Sequence, residues 1–132
     1  MNWQGKTAFI TGGVSGIGFG IARAFAEAGM DLILSYRNEA YRADAEAWFV
    51  QNERPLPRFV KLDVTDREGF AAAAAEAGKV HVLVNNAGVS VFGPTDEASY
   101  ADHDWIMGVN YGGVVNGLVS FIPGMKAHGD GG

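Results

Sequence analysis

Cysteine is absent from the sequence, which excludes disulfides and thiolate metal sites and fits a reducing compartment. Histidine is scarce: His81, His103 and His128 are far apart and share no helical spacing, so no metal site is expected. Basic residues are outnumbered, with 10 Lys and Arg against 15 Asp and Glu and a formal charge of −5. None of them cluster, so a nucleic-acid surface is not expected. No run of apolar residues approaches the ~18 of a membrane span, and MNWQGKTAFI lacks the basic-then-apolar order of a secretory leader. These shortages lead us to expect a cytoplasmic soluble protein with no nucleic-acid or membrane partner. At 132 residues the chain suits one domain with a real core.

What is present in excess is glycine, 19 residues concentrated near 12–20, 108–117 and 129–132. Around these clusters, strand-like and helix-like stretches alternate. Lys6–Ile10, Asp31–Ser35, Phe59–Leu62 and Val80–Val84 are short apolar runs that suit strands buried on both faces. Ile17–Ala28 has helical spacing and stops at Gly29, and Glu39–Val50 is helical in pattern before the breaker segment QNERPLPR. Thr65 or Asp66 can cap a third helix through the alanine run 71–75. A long helical pattern runs from about Ser99 to Met125. Its apolar face is expected through Trp105, Val109, Val115, Leu118 and Ile122, with Pro123 kinking or ending it. The order β-α-β-α-β-α-β-α predicts an α/β fold, a doubly wound parallel sheet of Rossmann type, in a single domain over 1–132.

Residues 11–20, TGGVSGIGFG, follow the first strand directly. A glycine-rich turn between a strand and a helix gathers unpaired N–H groups and a positive helix end at one point, which suits a phosphate or diphosphate. Gly12 makes the tight turn, Gly16 lets the backbone approach the phosphates, and Gly18 lets helix and strand pack closely. A glycine-rich turn without a ligand is the competing reading.

TGGVSGIG resembles the cofactor motif of the short-chain dehydrogenase/reductase family, and three further features follow in family order: Asp63–Val64, NNAG at Asn85–Gly88, and VNYGGVVNG at Val109–Gly117. The resemblance implies an oxidoreductase moving a hydride between a nicotinamide cofactor and a small alcohol or ketone. It implies a cofactor-binding set of Gly12, Ser15, Gly16, Ile17, Gly18, Tyr36, Arg37, Asp63, Val64, Asn86, Ala87 and Gly88. In that set Asp63 would stand near the adenine, and one of Asn85 and Asn86 would border the ribose while the other satisfies backbone groups. Asn110 would hold a water of the catalytic proton relay. Bland roles compete: Asp63 as a turn cap, Asn110 as a structural Asn satisfied inside a helix. At the end of the second strand, LILSYRN offers Tyr36 and Arg37 where NAD-preferring relatives place an acid. A carboxylate there binds the ribose 2′-OH, whereas a guanidinium favours a 2′-phosphate, so NADP is expected over NAD. Tyr36 can stack near the adenine, and Ser15 can add a hydrogen bond.

The family's Ser and Tyr-x-x-x-Lys, in which the Lys stabilises the phenolate, have no counterpart here. The residues four positions after Tyr36, Tyr41, Tyr100 and Tyr111 are Ala40, Ala45, Asp104 and Val115. The expectation is therefore an incomplete domain, the N-terminal part of a longer enzyme truncated after the fourth βα unit, with HGDGG as the loop before a fifth strand. Such a polypeptide should be aggregation-prone and catalytically silent by itself. The full-length protein, by family habit, should form a homo-oligomer, dimer or tetramer. Two other functions stay open: a non-catalytic Rossmann nucleotide sensor, and a methyltransferase, which would want an acid at the end of the second strand.

Overall fold

The computed structural model describes residues 2–130. Gly131 and Gly132, the end of the predicted HGDGG loop, lie outside the described residues. Four strands form one parallel sheet: β1 (Thr7–Ile10), β2 (Asp31–Tyr36), β3 (Arg58–Lys61) and β4 (Val82–Val84), in the order β3-β2-β1-β4. Each is followed by a helical crossover, α1 (Gly16–Glu27), α2 (Glu39–Gln51), α3 (Arg67–Ala77), and, after a 3₁₀ turn at Thr95–Glu97, a long composite helix. The predicted doubly wound fold is the observed one. Because the order reverses beside β1, the loops after β1 and β4 diverge to opposite faces and leave a crevice at the strands' C-terminal ends.

Alternation along the strands feeds two cores. Phe9 and Ile33 face one side with Phe70, Val109 and Phe121 from α3 and the composite helix. Ala8, Ile10, Leu32 and Leu34 face the other with Ala22 of α1 and Phe49 of α2. Phe9, Phe49 and Phe70 are fully buried, each stabilising the fold by about 1.5–3 kcal/mol relative to an exposed ring.

The composite helix departs from the sequence reading in two ways. It consists of α4 (Tyr100–Met107), a π-helical turn at Gly108–Gly112 and α5 (Gly113–His128), and it runs past Pro123 without ending. Proline removes only the bond to the carbonyl of Val119, and both residues are solvent-exposed, so water can serve that oxygen. The buried face is also different. Of the expected stripe Val109 is buried and Val115 half-buried, and Gly113, Asn116, Gly117, Phe121 and Met125 turn inward with them, while Trp105, Leu118 and Ile122 remain exposed. The extra residue of the π turn shifts the register of every side chain after it, which a 3.6-residue period does not foresee. By length and composition alone, Tyr100–His128 is apolar enough to cross a membrane; in the structure its buried side lies on the sheet and α3.

At the strands' N-terminal ends the fold unites histidines that the sequence keeps apart. The rings of His81 and His128 lie 5.6 Å from each other. Each Nδ1 accepts a backbone N–H, from Thr7 at 2.9 Å and Asp130 at 3.0 Å. Among the described residues no group of three metal-ligating side chains forms.

Candidate functional site

The turn after β1 is built by hydrogen bonds from two sides. The Gly12 N–H donates to Ser35 Oγ at 3.2 Å and the Gly13 N–H to the Ser35 carbonyl at 3.1 Å, fixing the turn to β2. From β4, the Asn86 and Ala87 N–H groups both donate to Thr11 Oγ1 at 3.0 Å. The Asn86 amide then donates to the carbonyls of Thr11 at 3.1 Å and Gly12 at 3.2 Å. Thr11 is buried, so its hydroxyl is a joint between the two loops.

The glycines follow from this crowding. Gly12 has φ +61° and lies against Ala87 and Asn86. A Cβ on Gly18 would collide with the Gly12 carbonyl oxygen and the Asn86 amide, so only glycine lets α1 approach the turn. Gly16 has φ +54° and open space where a side chain would stand. Ser15, the residue before α1, makes no side-chain cap, the first turn carries no acid, and Ile17 is 80% exposed. The start of α1 thus presents its amides to solvent.

A cleft of about 480 Å³ opens at this point. Gly12, Ser15 and Ile17 form its floor beside α1; Tyr36, Arg37 and Val64 line one end; Asn86, Ala87 and Gly88 line another. Of the remaining expected residues, Gly18 packs against the turn and Gly16 leaves open space beside it, while Asp63 and Asn110 do not line the cleft. Val14, Ser35, Asn38, Tyr41, Leu62, Val89 and Val109 also line it, and sequence reasoning missed them. A larger hollow of about 620 Å³ lies outside, between α3 and α5; Arg67, Asn116 and Ser120 share its wall with three alanines and two valines, but the glycine turn does not open into it. Volume alone therefore does not choose the site.

Asp63 accepts from the Thr65 N–H at 3.0 Å and the Thr65 hydroxyl at 2.8 Å, shaping the turn before α3. Those bonds, with a smaller contribution from the Arg37 charge, hold its carboxyl below the usual range. Asn110 sits in the π turn. Its Oδ1 accepts from the Val89 N–H and its Nδ2 donates to the Val89 carbonyl, both at 2.8 Å, which pins the chain just after Asn86–Gly88. Asn86 serves backbone groups and lines the cleft; Asn85, by contrast, faces Gly117 with its Oδ1 unpaired. The VNYGGVVNG segment closes the other side. A Cβ at Gly113 would strike Val64, and buried Asn116 donates to the Val64 carbonyl at 2.8 Å.

At the end of β2, burial and the neighbouring Glu39 carboxylate push the Tyr36 phenol up from its ordinary pKa, so it is neutral at physiological pH. Arg37 is exposed, and among the described residues it forms no ion pair within 4.0 Å.

A switch-point crevice with a glycine turn aimed into it defines a dinucleotide-binding α/β protein. The family model for short chain dehydrogenases matches residues 6–132, and the chain belongs to that family of oxidoreductases. It is 43% identical over 135 residues to a C alpha-dehydrogenase of Sphingobium, covering 97% of this chain and 43% of that protein. Among solved structures, the apo form of LigO from Sphingobium superposes with TM-score 0.94 at 41% identity, covering 100% of this chain and 50% of the other. A short chain dehydrogenase/reductase from Burkholderia phymatum in complex with NAD gives 0.90 at 36% identity, over 97% and 47%. A blue fluorescent protein from a metagenomic library in complex with NADPH gives 0.81 at 29% identity, over 93% and 52%. The chain spans about half the length of the curated relatives it matches.

Proposed function

We propose that this chain forms the cofactor-binding part of a dehydrogenase that transfers a hydride between NADP(H) and an alcohol or ketone. The observation that carries the cofactor choice is Arg37 on the cleft wall: among the described residues that line the cleft, none is acidic. Solved relatives include one with NAD and one with NADPH, so selectivity is read from this chain's own residues.

The residues fit such a cofactor. The open amides at Ser15–Gly18 and the vacant space over Gly16 receive the diphosphate, with Ser15 Oγ free to donate because it caps nothing. Arg37 meets the 2′-phosphate through charge-assisted hydrogen bonds, and Tyr36 and Val64 bound the adenosine end. Asp63 acts there at one remove, by shaping the turn that presents Val64. Asn86, Ala87 and Gly88 form the wall on the nicotinamide side. Bound NADP(H) supplies or accepts the hydride. Asn110 fixes that wall through Val89, and the Oδ1 lone pair and N–H that Val89 leaves free can hold a relay water. A cytoplasmic setting and a homo-oligomer belong to the same reading, the latter supported by the exposed apolar side chains of Trp105, Leu118 and Ile122.

Titration of NADPH and NADH into the chain and into Arg37→Ala tests the reading. Tighter binding of NADPH, lost in the variant, is expected; equal affinities in both proteins would overturn it.

A further inference from the structure

Building on the reading that Arg37 meets a 2′-phosphate, we infer that Arg42 is a positioning residue that sets cofactor selectivity by tying the Glu39 carboxylate back from that phosphate.

Glu39 opens α2 directly after Asn38, whose side chain caps the helix by accepting from the Ala40 N–H at 2.9 Å and also lines the cleft. Two residues from Arg37, it carries a carboxylate close enough to the cleft-lining Tyr36 to push that phenol's pKa up. A carboxylate there favours the diol of an unphosphorylated ribose and repels a 2′-phosphate. Arg42, one turn on, takes hold of it. Its Nε donates to Glu39 Oε1, and its Nη1 donates to Glu46 Oε2 at 2.6 Å. The guanidinium also lies 5.7 Å from the centre of the Phe59 ring. The Arg42 side chain is only 24% exposed, against 63% for Glu39 and 40% for Glu46. A guanidinium packed on a ring and forked between two carboxylates is held in one geometry, and it holds the carboxylates with it.

The charges settle the direction of the effect. Arg42, with lesser contributions from the Tyr36 phenol and then Lys61, holds the Glu39 carboxyl below its usual range, so Glu39 is anionic at neutral pH. Glu39 and Glu46 are balanced by Arg42 and Lys61, so the Arg37 charge at the cleft wall is offset only in part, by Asp63. Removing Arg42 frees Glu39 and leaves the group with one net negative charge. A unit charge some 8–10 Å from a phosphate at a protein surface changes affinity by about three- to tenfold at low ionic strength.

The test measures dissociation constants of NADPH and NADH, at low salt, for the chain, Arg42→Met, Arg42→Lys and Glu39→Gln. Arg42→Met should lower the NADPH preference about three- to tenfold, and Arg42→Lys should restore most of it. Glu39→Gln should raise the preference and, combined with Arg42→Met, cancel the loss. An unchanged ratio in Arg42→Met, or an equal loss for both cofactors that Glu39→Gln does not relieve, would overturn the inference. Should the unmodified chain bind both cofactors equally while Arg42→Met still shifts the ratio, the Arg37 reading fails and the Arg42 inference stands.

Discussion

Helix α1 begins differently from α2, α3 and α4. Asn38, Asp66 and Ser99 each accept a backbone N–H from the first turn of the helix that follows, and Ser99 with Asp102 completes a reciprocal capping box. Each of those first turns also carries an acid: Glu39, Glu68 or Asp102. Ser15 holds the equivalent place before α1, makes no such bond, and is followed by no acid. Forgoing a cap costs about 1 kcal/mol. The three capped helices are finished as structure, whereas α1 leaves amides and a positive helix end for an anion to complete.

The largest expected effect breaks α1's approach to the turn. Gly18→Ala forces a Cβ into the Gly12 carbonyl and the Asn86 amide, so urea denaturation should show a loss of about 1–3 kcal/mol, together with loss of cofactor binding. Thr11→Val strands two N–H donors, those of Asn86 and Ala87, and should cost about 2 kcal/mol by the same measurement. The contrast between helix starts is sharpened by a matched pair. Asp66→Ala should lower stability by about 1 kcal/mol, while Ser15→Ala should leave the unliganded protein within a few tenths and show its effect only in NADPH affinity. Equal losses in the two variants would erase the distinction.

The smallest effect lies at the opposite end of the sheet, where no ligand is expected. Burial lowers the pKa of His81 from its ordinary value, with Lys6 adding to the shift and Asp130 opposing it. The unfolded chain therefore takes up that proton first as pH falls through ~6.5, and stability declines below that point. The melting temperature should drop between about pH 7.5 and about pH 5.5, and less so in His81→Gln.

Much of the crevice was legible because its logic is local. A glycine forced by a turn, and an arginine where an acid could stand, can be read from TGGVSGIG and LILSYRN without knowing what packs on them. The joints between distant segments were not. Thr11 is an ordinary strand-end threonine until β4 brings Asn86 and Ala87 to it, and Tyr41 lines the cleft in the first turn of α2, beside its cap Asn38. Asn85 and Asn86 look alike in sequence; alternation at the end of β4 sends one to the glycine turn and the other towards α5. The composite helix was misread in part for a related reason: Val109 is buried as expected, but a π turn has no composition of its own, so the period carried past it put Leu118 and Ile122 inward wrongly.

The central claim concerns the amides at the start of α1, and backbone NMR on ¹⁵N-labelled protein reads them one by one. Addition of NADPH should shift the resonances of Ser15, Gly16, Ile17 and Gly18 most strongly, with those of Asn86 to Gly88 following, while the capped starts of α3 and α4 stay still. Unchanged resonances at 15–18 in a cofactor-saturated sample would contradict the account.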